Sequence, residues 1–166
     1  MSEVIKAYPL QWPTGWKRTE PGKRKRAKFR TGSGWITIAK AVDRVLAELR
    51  RFGVNSRDDI VLSTNVPVNF SGYPRSDAKQ PGDVGVALYF IRKGQHQCIA
   101  ADLYDYVEDN IAAIAASLEA LRAIERHGGA QILDRAFTGF AALPPAPDWR
   151  FALLVQAYEQ GLKEFE

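Results

Sequence analysis

Residues 17–30 read KRTEPGKRKRAKFR. They hold Lys17, Arg18, Lys23, Arg24, Lys25, Arg26, Lys28 and Arg30 against one acid, Glu20, a net charge of +7. Cations at this density neutralise phosphates and release counterions, so the segment predicts salt-dependent binding of a polyanion such as DNA or RNA. Contacts of this kind hold a backbone without reading its sequence. Arg75 and Lys79, in a later loop, are candidate helpers. The remainder carries 15 basic and 18 acidic residues, a charge of −3. The whole-chain values of +4 and pI 9.3 therefore average a basic arm with a mildly acidic body.

Other chemistries find less support. Asp102, Asp105, Glu108 and Asp109 crowd the start of a helical pattern, where carboxylates after a strand hold Mg²⁺ in phosphoryl-transfer sites. Helix capping explains the same four acids without a metal. His96 and His127 have no second histidine at ligand spacing, and His127 reads as a helix C-terminal residue, so no metal site is expected. Ser63 and Cys98 lack an evident histidine partner for nucleophilic catalysis. A lone cysteine in a strand reads as a small buried hydrophobe. A restriction-type nuclease core needs an (Asp/Glu)-x-Lys on the strand after its first acid, and HQCIAAD supplies none. Neither a GxxxxGK[ST] loop nor a strand-anchored GxGxxG is present, and Gly32-Ser33-Gly34 reads as a turn. No cofactor is implied.

These residues must be positioned by a small set of elements. Tyr8, Pro9, Trp12, Pro13 and Trp16 predict an extended strap over the core, since proline forbids a helix there. Thr37 caps a helix from about Ile38 to Phe52, with Ile38, Ala41, Val42, Val45, Leu49 and Phe52 on one face and Gly53 as its stop. Residues 60–66, 84–91 and 96–101 read as strands, the last two joined at Lys93-Gly94. Residues 67–83 are a long Pro/Gly-rich loop, of the kind that is functional or mobile. Asp102 caps a long helix to about His127, ~37 Å at 1.5 Å per residue. Val107, Ile111, Ile114, Leu118 and Leu121 form its seam, and Ala112, Ala116, Ala120 and Ala123 a second, small-residue face. A short helix over 131–137 follows. After ALPPAPD, Asp148 caps a final helix with Phe151, Leu154, Val155, Tyr158 and Leu162 on one face.

The predicted fold class is α+β: a three-stranded antiparallel sheet packed against a long helix, in the order α-β-β-β-α-α-α, with a C-terminal helical tail. Residues 1–143 form one domain with the basic arm at 17–30, and 148–166 form a helical appendage. One cysteine excludes an internal disulfide framework. MSEVIKAYPL contains no signal-peptide run, and no stretch reaches the roughly 18 apolar residues of a membrane span. A cytoplasmic protein without membrane contact is expected.

The order α-β-β-β-α invites comparison with double-stranded-RNA-binding domains, which place cations at the start of the last helix. Here that position holds acids, which repel phosphate. Nucleic-acid contact is therefore assigned to residues 17–30.

Five segments taken together carry a resemblance: YPLQWPTGWKRT, LSTNVPVNFSGYP, PGDVGVALYF, DNIAAIAASLEALRAIERHG and AFTGFAALP. They resemble an orphan bacterial family met in prophage-like and mobile-element regions, over roughly residues 8–143. Members often carry a C-terminal J domain. That resemblance implies a mobile-element setting but no assigned chemistry. A J domain needs an HPD tripeptide, whereas His96 precedes Gln-Cys and His127 precedes Gly-Gly. The nineteen residues after Pro147 are too few for one, so the co-chaperone label does not transfer.

The expected function is a non-enzymatic accessory protein of a phage or mobile element, binding DNA or RNA weakly through the arm. The alternative is a protein-interaction or scaffold module that forms a homo-oligomer through the long or C-terminal helix. A metal-dependent nuclease ranks third.

Overall fold

The computed structural model describes residues 4–32 and 34–139. Its first regular pairing is a two-residue ribbon, β1 (Arg30–Thr31) against β2 (Gly34–Trp35). Helix α1 (Ile38–Arg51) follows, then β3 (Ile60–Thr64), β4 (Val86–Arg92), β5 (Gln95–Ala101), α2 (Val107–Arg126) and α3 (Ala130–Gly139). The strands β3, β4 and β5 form an antiparallel sheet in that order. The chain is thus α+β, with the ribbon as an addition before α1. The expected helix over 148–166 lies outside the described residues.

Local signals account for most boundaries. Thr37 caps α1, its hydroxyl accepting from the Lys40 amide at 3.3 Å. Gly53, at φ 84°, takes the left-handed conformation that ends the helix. The β4–β5 turn needs positive φ at both central residues, and Lys93 (51°) and Gly94 (73°) supply it.

Strand alternation sorts the sheet into two faces. Leu62, Leu88 and Ile99 are register partners on one face and join Val86 and Phe90 in the core with α1 and α2. Val107, Ile111, Ile114 and Leu118 contribute the seam of α2, all fully buried. Val61, Tyr89 and Cys98 are partners on the opposite face. The N-terminal strap covers that face: the Gln11 amide donates to Ser63 Oγ at 2.8 Å, and Tyr89 Oη donates to the Gln11 carbonyl at 2.7 Å. The Leu10 amide donates to Asn65 Oδ1 at 3.0 Å. Cys98 is buried there, and burial pushes its thiol up to about 11 while a hydrogen bond from Trp16 works the other way.

The start of α2 departs from expectation. Asp102 does not cap it; the helix begins at Val107, after Tyr106 at the N-cap, and spans 20 residues. On the small-residue face Ala112 is buried, but Ala116 and Ala120 are exposed.

The long loop is a fastener between helix starts. Asn69 Oδ1 accepts from the Ser71 and Tyr73 amides, closing residues 67–75 on themselves. Ser76 Oγ then accepts from the Ala39 amide in the first turn of α1. Gln80 accepts from the Val107 amide at 3.1 Å and donates to Glu108 at 2.6 Å. Both helices thereby begin beside one loop.

Candidate nucleic-acid interface

The basic segment is laid onto the body along its length, and its two halves do different things. In the first half, Arg18 Nε donates to Asp102 Oδ2 at 2.9 Å, and Nη2 pairs with Asp83. The Thr19 amide donates to the same Asp102 oxygen at 2.9 Å. Arg18 also stands over the Trp12 ring, 4.3 Å from its centroid. Arg24 lies 3.8 Å from Asp83. A Cβ on Gly85 would come within 3.1 Å of both Arg18 Nη2 and Leu10 Cδ2, so a side chain there would push both aside by a few tenths of an ångström.

The electrostatics follow from that geometry. The Asp83 hydrogen bond is the largest influence on Arg18, and it holds the guanidinium above its ordinary value against desolvation. Burial works to raise Asp83, but the Arg18 and Gly85 hydrogen bonds and the charges of Arg18 and Arg24 outweigh it and hold its carboxyl low. Arg18 and Arg24 therefore neutralise Asp83 and Asp102. Lys23 pairs with Glu20 at 3.5 Å, with both side chains exposed. Lys17 is exposed.

The second half is an extended strip. The Lys25 amide donates to the Leu103 carbonyl at 2.8 Å, and the Asp105 amide to the Lys25 carbonyl at 3.1 Å. Ala27 is buried, and Phe29 sets its ring edge-on to Tyr104 at 5.6 Å. With Ala27, Phe29 and Thr31 turned inward, Arg26, Lys28 and Arg30 are exposed on the other side. The three alternate with these inward residues along the chain and form one exposed row of cations. Lys25, Arg26, Lys28 and Arg30 form no ion pair among the described residues.

Trp35 completes this row. The ribbon pairs it with Arg30, and it is 54% exposed. Arg30 Cζ lies 4.4 Å from its ring centroid and Arg26 Cζ 5.6 Å. The Arg30 carbonyl accepts from Arg44 Nη2 at 2.8 Å, which ties the ribbon to α1. An exposed indole among guanidinium groups is an aromatic stacking surface beside cations unpaired among the described residues. Tyr106, 43% exposed, stands at the start of α2. Trp35, Tyr106, Arg26, Glu108 and Asp109 line a cavity of about 210 Å³. Burial pushes the Asp109 carboxyl up to about 6, and the charges of Glu108 and Asp105 add to the shift.

Of the ten candidate residues, the structure brings Lys25, Arg26, Lys28 and Arg30 into one exposed strip. It removes Arg18 and Arg24 to structural ion pairs. Arg75 pairs with Asp77 at 2.8 Å in the loop, so its charge is answered locally. Lys79 is exposed, next to the Gln80 that holds the start of α2. Sequence reasoning missed Trp35 and Tyr106. A signal was present for Trp35 in the glycines Gly32 and Gly34, beside the ribbon that pairs Thr31 with Gly34 and Arg30 with Trp35.

The acid cluster is divided in the same way. Asp102, committed to Arg18 and Thr19, is separated in role from Asp105 and Asp109. No group of three or more metal-ligating side chains gathers among the described residues. None of the described helices is long and apolar enough to cross a membrane. The chain matches no family model, no curated protein and no solved structure.

Proposed function

We propose that this protein binds nucleic acid through the strip Lys25–Arg30 together with Trp35, as a non-enzymatic accessory factor. The observation that carries the reading is the row Arg26, Lys28 and Arg30, exposed on one side, with the Trp35 indole within cation–π reach of two of its guanidinium groups. Cations supply affinity that salt weakens, and the aromatic ring supplies stacking that tolerates any base. The resemblance noted in the sequence favours a phage or mobile-element setting and a cytoplasmic site of action. The side chains are held by a ribbon, by buried Ala27 and by half-buried Phe29 and Thr31, so less ordering entropy opposes binding than in a free tail.

The test is fluorescence anisotropy with labelled single- and double-stranded DNA and RNA at two salt concentrations. Affinity falls steeply with salt in the native protein. The variant Arg26→Gln/Lys28→Gln/Arg30→Gln loses most of it, and unchanged binding in that variant would sink the reading. Arg24 is left intact because its charge answers Asp83.

A further inference from the structure

The cavity beside Trp35 is lined by a largely buried carboxylate that no donor among the described residues engages. Asp109 is 6% exposed, lines the opening, and accepts no hydrogen bond among the described residues. Its nearest charged influences are Glu108 and Asp105, both acids. Glu108, by contrast, already accepts from Gln80 at 2.6 Å. A buried carboxylate without donors costs stability, and it stands ready for a guest that brings them.

The walls define the guest. At about 210 Å³ the cavity is smaller than the roughly 300–1,000 Å³ of pockets for drug-sized ligands, so it admits one planar ring system. Trp35 and Tyr106 supply aromatic surface, and Ala27 and Ile36 an apolar floor. Arg26 lines the same opening beside Glu108 and Asp109, and Arg30 stands over Trp35, so phosphates carried by a bound ring would meet cations at the rim on the Arg26 side. A neutral ring attached to phosphates suits both the walls and the rim.

A carboxylate only accepts hydrogen bonds, and it accepts two in parallel most favourably. Guanine offers two adjacent donors, N1–H and N2–H, on its Watson–Crick edge. Adenine and cytosine offer one amino group beside a ring-nitrogen acceptor. Thymine and uracil offer one N–H between two carbonyls. In a duplex the guanine edge is already paired, so the guest must come from a single strand.

We propose that this cavity receives one guanine of a single-stranded nucleic acid, its Watson–Crick edge on Asp109 and its neighbouring phosphates on Arg26, Lys28 and Arg30. The assignment rests on the nucleic-acid reading above and adds a base preference to it. Trp35 and Tyr106 hold the ring by stacking, and Asp109 selects it.

The experiment compares three labelled oligomers by anisotropy at one salt concentration: oligothymidylate, the same oligomer with a single central guanine, and the same with hypoxanthine there. Native protein binds the guanine oligomer roughly 5- to 150-fold more tightly than oligothymidylate, the range of one good bidentate base contact. Hypoxanthine, which lacks the N2 amino group, loses most of that gain. Asp109→Asn abolishes the guanine preference, the ratio of guanine-oligomer to oligothymidylate affinity falling to about 1, while its cooperative thermal unfolding shows that it is folded. Equal affinity for the thymine and guanine oligomers in native protein overturns the proposal and leaves the polyanion reading standing. A guanine preference that survives Asp109→Asn also overturns it. Absence of binding to any oligomer at low salt overturns both. Guanosine monophosphate bound without oligomer binding overturns the assignment to a strand.

Discussion

Lys17–Arg24 and Lys25–Arg30 have the same kind of composition and opposite fates. In the first stretch, acids that lie 59 to 84 residues away in sequence claim the guanidinium groups, and Arg18 and Arg24 become fasteners. In the second, the backbone is claimed by residues 103–105 and the cationic side chains are left outward. Charge along a sequence therefore does not measure charge available to a partner. What decides is whether the fold pairs the side chain or the main chain.

The largest effect that would sharpen this contrast is on stability. Arg18→Ala strands Asp102, which keeps only the Thr19 amide in a 4% exposed position. The expected loss is about 2 kcal/mol, below the ~3–5 kcal/mol of breaking a fully buried pair because Arg18 is part-exposed. Lys28→Ala, from the outward row, should stay within about 0.5 kcal/mol. Urea denaturation of the two variants measures the difference, and equal losses would break the division into fastening and presenting halves.

A smaller effect is expected at the cavity, with a sign set by pH. Asp109 has a folded value of about 6, raised by burial and then by Glu108 and Asp105. Its unfolded value is near 3.9. The folded protein therefore binds the proton more tightly, and the residue costs stability increasingly as pH rises from about 4 to 6. Asp109→Asn should raise Tm above pH 6, by a margin that shrinks as pH falls and vanishes below about pH 4. A variant less stable than native at pH 8 would contradict the unpaired carboxylate.

The smallest effect belongs to the exposed pair Arg75–Asp77. Arg75→Ala should change neither stability beyond about 0.5 kcal/mol nor the salt dependence of nucleic-acid binding. A clear loss of affinity would extend the interface into the loop.

Short-range chemistry explains what was legible in the sequence. Thr37, Gly53 and Lys93-Gly94 act on neighbours within four residues, and the seam Val107–Ile111–Ile114–Leu118 is a helical period. Asp102 was misread as a helix cap for the complementary reason. Its partners, Arg18 and the Thr19 amide, are 84 and 83 residues away, and nothing local announces them. The cavity is equally non-local, since it joins the basic strip, the ribbon and the first turn of α2. The basic composition was visible at once; the indole that gives it a stacking surface becomes visible only when Arg30 and Trp35 are paired.

The most direct measurement removes equal charge from the two halves. Lys17→Gln/Lys23→Gln and Arg26→Gln/Arg30→Gln each delete two exposed cations. Each is titrated with single-stranded DNA across a salt series. Each phosphate contact contributes a slope of about 0.7 for single strands. The Arg26/Arg30 variant should lose about 1.4 from the slope of log affinity against log salt, and the Lys17/Lys23 variant less than about 0.3. Equal losses from both would mean that affinity follows net charge alone, and that the strip beside Trp35 is not the interface.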